Sequence, residues 1–439
     1  MRFLASEVAN AVAGTLVGPD VVVDGAAIDS RELLGGELFV PIIGARDGHD
    51  FIAAALERGA AAYLTSRTPV DATGAGPAIT VEDTAVALRA LGELARSRLR
   101  PPVVGITGSV GKTTTKDLLT AVLAHRYRTH ASLRSFNNEL GVPLTLLNAP
   151  DGTEATVVEM GARGHGHIAE LCEVARPTIG VVTTVELVHT EMFGDLESVA
   201  EAKAELVEAL PADGVAVLNA DNPFVADMAA RTSAWVLTIG VKGEVRATGV
   251  EVDGELRTRF ELCSPWGSAE VVLGVRGAHN VHNALAAAAV GLACGVEVEA
   301  VAEGLGQAEG SPWRMELRHG ANGLAVLNDA YNAGPASMEA ALHALARLEA
   351  RRRIAVLGPM AELGDHQEAA HRRVAEVAAK LGIEVLAVGT DDYGVPSVPD
   401  VDAAFERLGS LGEGDAVLVK GSRVAGLERL AQLLLAPRV

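Results

Sequence analysis

Aromatic side chains are scarce in this chain: Phe, Tyr and Trp make up 3% of 439 residues. So few flat rings exclude a stacking platform for the bases of a single nucleic-acid strand. Positive charge is short as well. Lys and Arg number 37 against 57 Asp and Glu, a formal net charge of −20, which excludes the broad basic face that non-specific nucleic-acid binding needs. Cysteine occurs three times, at Cys172, Cys263 and Cys294. That scatter has neither disulfide nor metal-site spacing and fits a reducing cytosol. Long hydrophobic runs are missing too: the most apolar, Ala284–Ala293, is too short to cross a bilayer. The start, Met1-Arg-Phe-Leu-Ala-Ser-Glu-Val8, lacks an apolar signal core. A cytoplasmic protein without membrane insertion or a nucleic-acid partner is expected.

What is present is a phosphate loop. In Gly105-Ile-Thr-Gly-Ser-Val-Gly-Lys-Thr-Thr-Thr115 an apolar strand, Val103–Thr107, leads through glycines into the helical spacing of Lys116–Ala124. A Gly-rich turn from strand to helix points backbone N–H groups and a positive helix end at one place, a seat for a phosphate chain. Gly108, Ser109, Val110, Gly111, Lys112, Thr113 and Thr114 are the candidate nucleotide contacts. Lys112 is expected on the outer phosphates and the Thr113 hydroxyl on Mg²⁺, with ATP as the nucleotide. Ile106 departs from the general pattern, which has Gly there.

A length of 439 residues predicts about three domains at roughly 150 residues each. Residues 1–100 alternate short strands and helices and end at Arg100-Pro-Pro102, an extended joint. Residues 101–311 hold strands at 103–107, 155–159, 179–184 and 215–218 with helical patterns between them, which predicts a parallel sheet covered on both faces. Alternation around Asp253-Gly254 and Pro265-Trp-Gly267 adds antiparallel hairpins. Residues 312–439 repeat strand and helix four times, a doubly wound α/β domain. The fold class expected is therefore α/β in three domains: small N-terminal, central phosphate-loop domain with an antiparallel appendage, and doubly wound C-terminal.

Ligand groups gather at the carboxyl ends of parallel strands. Glu159 ends the apolar run Ala155–Val158, placed to hold Mg²⁺ through oxygen. His189 follows the strand at 179–184, where a lone histidine reads as a surface residue. Lys203 lies on a helix with a mostly acidic exposed face and reads by pattern as a solvated lysine. Asn283, in Gly277-Ala-His-Asn-Val-His-Asn283, suits either a base edge or a helix cap. Arg314 suits a phosphate; Asp329 suits a ribose hydroxyl or an Asx turn. Lys420-Gly-Ser-Arg423 suits a carboxylate.

Together these motifs, in order along nearly the whole chain, resemble the Mur ligases, ATP-dependent amide-forming enzymes of peptidoglycan precursor synthesis. Four stretches resemble the branch that adds D-alanyl-D-alanine to UDP-N-acetylmuramoyl-tripeptide: Asp29-Ser-Arg31 with Gly44–Phe51, Asn137–Leu144, Asp329–Pro335 and Val419–Arg423. The resemblance implies Lys112, Glu159, His189 and Lys203 as catalytic, with His189 joining Thr113 and Glu159 at the metal and Lys203 carbamylated. It implies Asn283 on adenine, Arg314 near the nucleotide and Asp329 on ribose. It implies Ser30, Arg31, Asp47 and His49 on the UDP side, and Asn137, Asn138, Tyr331, Asn332, Lys420, Ser422 and Arg423 on the remaining substrates. A monomer is expected. Two alternatives stay open: a folylpolyglutamate or cyanophycin synthetase-like ligase, and a non-catalytic nucleotide-gated binder of wall precursors.

Overall fold

A computed structural model describes residues 1–69, 76–186 and 195–436. Its architecture is α/β throughout, with three principal sheets along the chain. The first has five strands in the order Thr15–Val17, Ala78–Thr80, Ala62–Thr65, Leu38–Phe39, Ala26–Ala27; the first pair is antiparallel and the rest parallel. The helix Thr84–Arg98 follows, started by the Asp83 carboxylate, which accepts from the N–H groups of Ala85 and Val86. Its apolar stripe, Leu88, Leu91 and Ala95, shares one core with Val142, Leu146, Ile168 and Leu171 further along. The first two segments are thus joined by buried apolar surface rather than a bare linker.

The second sheet has six strands, all parallel: Trp235–Ile239, Val215–Asn219, Ile179–Val182, Val103–Thr107, Ala155–Glu159, Thr129–Ala131. Its central strands are buried along their whole length, as covering both faces of a parallel sheet demands. From Val103–Thr107 the chain first builds outward to one edge and later to the other. The end of that strand is therefore a topological switch point, where α/β sheets bind ligands. Three antiparallel strands, Arg246–Val252, Arg257–Ser264 and Gly267–Arg276, form the appendage. Their inward residues Phe260, Leu262, Val271 and Leu273 meet the Ala-rich helix Asn280–Ala293 in one core with Leu118 and Val122 of the phosphate-loop helix.

The third sheet runs Glu316–His319, Ala325–Asn328, Asp415–Lys420, Arg352–Leu357, Glu384–Val388, Ser397–Val398, antiparallel only at the first pair. Strand alternation sends Ala355 and Leu357 to one core and Ile354 and Val356 to the other. Between the second and third sheets the chain turns sharply. Trp313 and Met315, on either side of Arg314, adopt φ of 63° and 51°, a region costly for side chains of this size. Asp117, on the phosphate-loop helix, accepts from the Ser311 N–H at 3.0 Å and the Ser311 hydroxyl at 2.6 Å. Among the described residues no helix is long and apolar enough to cross a membrane.

Candidate active site

A cleft of about 1120 Å³ opens at the end of the Val103–Thr107 strand, lined by the phosphate loop on one side and the third sheet's loops on the other. The loop's shape needs its glycines. Gly111 precedes the helix Lys112–Ala124 with φ 90°, and a Cβ there would overlap the Asn283 amide. Gly108 has φ 142°, and a Cβ would overlap the Thr183 hydroxyl, which donates to Val110 O at 2.6 Å. The Lys112 ammonium donates to Gly108 O at 2.7 Å. Burial holds Lys112 below the usual lysine range; Glu159 opposes that fall and Arg314 adds to it.

Glu159, at the end of its buried strand, joins three elements. Its carboxylate accepts from the Thr113 hydroxyl at 2.9 Å and from the Asn137 amide at 2.8 Å. Arg314 reaches across from the turn before the third sheet and donates to the Thr113 hydroxyl at 2.9 Å. Lys203 lines the same cleft and is 3% exposed. Burial, with the Lys112 charge adding to it, pushes Lys203 from 10.5 to about 7. Among the described residues no carboxylate lowers the cost of its charge, so much of it carries no proton at neutral pH.

Opposite, Asp329, one residue past the Ala325–Asn328 strand, pairs at 2.5 Å with Lys420, which ends the adjacent parallel strand. Asp329 also accepts from Met315 N–H at 3.1 Å, and Lys420 donates to Asn332 O at 2.9 Å. Asp329 is therefore more than an Asx turn: it pins the turn carrying Arg314. Tyr331 lies 2.5 Å, oxygen to oxygen, from the Ser135 hydroxyl, and Arg314 lies over its ring at 4.1 Å. Arg423 covers Trp313 at 4.3 Å, and the Ser422 hydroxyl accepts from Ala361 N–H at 2.9 Å. Asn283 bonds Thr115 and Asn280, so it braces the loop-to-helix contact with its amide partly committed.

Three family models match the chain: Mur ligase family, catalytic domain, over residues 22–98; Mur ligase middle domain over 106–291; and Mur ligase, glutamate ligase domain, over 313–423. The UDP-N-acetylmuramoyl-tripeptide--D-alanyl-D-alanine ligase of Mycobacterium tuberculosis is 42% identical across 93% of this chain and 91% of its own. The chain belongs to the Mur ligase family. Among solved structures, MurF from Acinetobacter baumannii is 30% identical with TM-score 0.89, covering 99% of both chains. The MurF ligase from Thermotoga maritima, in complex with ADP, is 29% identical with TM-score 0.81 over 94% of this chain and 97% of its own.

Against this Mur ligase background the expected residues fall into three groups. The phosphate loop, Glu159, Lys203, Asn283, Asn137, Asn138, Arg314, Asp329, Tyr331, Asn332, Lys420, Ser422 and Arg423 line one cleft. Ser30, Arg31, Asp47 and His49 are absent from its lining. Ser30 is buried, and Asp29 grips the exposed Arg31 guanidinium, which holds Asp29 down at about 2. His49 is also buried, with Nδ1 on Asp47 at 2.6 Å and Nε2 accepting from Ser66 N–H at 3.1 Å. Asp47 also starts the short 3₁₀ turn Gly48–Phe51 and pairs with Arg67. These two organise their own loop. His189 lies outside the described residues.

Other cleft residues have no role among those expected from the sequence. The Glu186 carboxyl is pushed up by burial, which the nearby Thr184 hydroxyl opposes, and its Oε2 has no hydrogen-bond partner among the described residues. Asp221 accepts from Val241 N–H at 2.7 Å and meets His282 at 3.1 Å. Glu186 sits past a strand's carboxyl end, as Glu159 sits at one, and that position is the signal the sequence carries for it.

Proposed function

We propose that this chain joins D-alanyl-D-alanine to UDP-N-acetylmuramoyl-tripeptide with consumption of ATP, forming the pentapeptide precursor of peptidoglycan. The observation that carries this is the 42% identity with the M. tuberculosis ligase of that name across 93% of the chain. In this reading residues 1–100 take the UDP end, 101–311 the triphosphate, and 312–439 the ribose and the dipeptide. The folylpolyglutamate-type alternative has no use for a uridine-binding first domain, and uridine-nucleotide binding by residues 1–100 separates the two.

The site suits Mg²⁺. A hydroxyl and a carboxylate, Thr113 and Glu159, meet at 2.9 Å in the cleft, and hard Mg²⁺ is commonly held by one or two such oxygens with water and phosphate. When bound, the ion neutralises phosphate charge. Lys203 suits carbamylation: a buried amine near neutral is the form that adds carbon dioxide, releasing a proton and becoming an anionic oxygen donor.

A carboxylate is a poor acyl donor because oxide leaves badly. Its oxygen attacks the γ-phosphorus, the bond to the β-bridging oxygen breaks, and ADP departs. The dipeptide amine then adds to the acyl carbon and loses a proton, and phosphate leaves. Lys112 and Arg314 offset the repulsion between carboxylate and triphosphate, and the protein's work is chiefly position and charge. Arg423 and Lys420 face the dipeptide carboxylate, with Asp329 at the ribose. The test is phosphate release from ATP with both substrates present, and the mass of the product. Phosphate release that ignores D-alanyl-D-alanine, or a product lacking the dipeptide mass, overturns the proposal.

A further inference from the structure

Tyr331 touches both halves of the cleft. It lies just past the Ala325–Asn328 strand of the third sheet, yet its phenol meets Ser135 at 2.5 Å. Ser135 belongs to the segment after the Thr129–Ala131 strand of the second sheet, two residues before Asn137, which holds Glu159. The face of the same ring lies under the Arg314 guanidinium at 4.1 Å. Arg314 spends Nη2 on the Thr113 hydroxyl, and its Nε is buried with no hydrogen-bond partner among the described residues. The ring face is thus a principal support of this cation on its way to the phosphate loop.

We infer that Tyr331 is a positioning residue for the ligation: its bond to Ser135 fixes the ring that holds Arg314 against the phosphate loop. The inference rests on the ligase reading above. Docking of the third sheet's loop onto Ser135 and delivery of Arg314 to Thr113 then become one event. A phenol that loses Ser135 leaves the ring free to turn about its side-chain torsions. The guanidinium above it loses a fixed electron-rich face, and the charge that Arg314 presents to the transferring phosphoryl group is less well placed. With its hydroxyl on Ser135 and its ring under Arg314, Tyr331 acts through Arg314 in place of the substrate contact that the family resemblance implies, so the binding of the other two substrates is untouched.

Tyr331→Phe removes the bond from one side while keeping the ring, and Ser135→Ala removes it from the other. Each is expected to lower kcat/KM for ATP about 3- to 10-fold, the range for one lost hydrogen bond. KM for the UDP-substrate and for D-alanyl-D-alanine stays within about twofold. The double variant is expected to be no worse than about twice either single. In an Arg314→Ala background, Tyr331→Phe changes the rate by less than about twofold. Effects that multiply in the double variant, a Tyr331→Phe loss that persists without Arg314, or a loss confined to KM for the UDP-substrate would each overturn the inference. The same cycle is read from ATP affinity by calorimetry. A wild-type protein that binds ATP but forms no amide therefore sinks the ligase reading and still leaves this inference decided. Ser135→Ala decides the question if Tyr331→Phe fails to fold.

Discussion

Replacing Lys203 by Met should make the protein more stable and, at the same time, nearly inactive. Lys203 is 3% exposed, and Met keeps most of the stem while removing the ammonium. A fall from 10.5 to about 7, at about 1.4 kcal/mol per tenfold change in proton affinity, sets an upper bound of about 5 kcal/mol on the cost of burying that charge. Relaxation and water entry reduce it; about 2 kcal/mol is expected, or roughly 4–8 °C in Tm for a unit of the second domain's size. The pH dependence has a fixed sign. The unfolded chain keeps this proton up to about 10.5, whereas the folded protein releases it near 7. Folding expels a proton between those values, so wild-type stability climbs as pH rises through that window. The advantage of Lys203→Met is therefore complete below about pH 7 and shrinks toward pH 10. Calorimetry in bicarbonate-free buffer reads this directly, and added bicarbonate should narrow the gap by converting the amine to a carbamate. Ligase kcat should fall about 10²-fold or more. A wild type more stable than Lys203→Met at pH 6–7, or a difference that ignores pH, refutes the reasoning.

Lys112→Ala should lower kcat by about 10²–10³-fold, as loss of one strong electrostatic donor does; near-normal phosphate release would remove Lys112 from the chemistry. Gly108→Ala forces a methyl into the Thr183 hydroxyl at φ 142°, so a destabilisation of about 1–3 kcal/mol and ATP binding weakened by about tenfold or more are expected by thermal melting and calorimetry. Asp329→Ala leaves the Lys420 ammonium, 2% exposed, without its carboxylate. It should cost about 3–5 kcal/mol, seen as a lowered melting transition, and a melt unchanged from wild type would show the pair to be expendable.

The phosphate loop is readable in the sequence because its chemistry needs glycine, lysine and threonine at fixed places between a strand and a helix. Glu159 is readable because a carboxylate closing an apolar strand is unusual. Lys203 is not: on its own helix it has the pattern of a surface lysine, and only the packing of Leu196–Glu208 against the sheet buries it. The all-parallel central sheet follows from apolar runs separated by helical spacing, but its edge strands Thr129–Ala131 and Trp235–Ile239 leave a weaker trace. The first is three residues long and has no apolar run; the second has the short run Ala234–Leu237, broken by Thr238, on a strand more exposed than the central ones. In the first domain Arg2–Leu4, Ala5–Ala11 and Thr15–Val17 are likewise too short to carry a period. Asp47 and His49 have residue types suited to a ligand, and only the folded loop reveals that each is occupied with the other.

The Asp117–Ser311 contact gives the nucleotide helix a mechanical reach beyond its own domain. Asp117 is about one and a half helical turns past Lys112, and any tilt of that cylinder drags on a bend already wound into an unfavourable conformation at Trp313 and Met315. The seat for phosphate at the start of that helix and the bend where the last third of the chain begins are thereby tied through one carboxylate, that of Asp117.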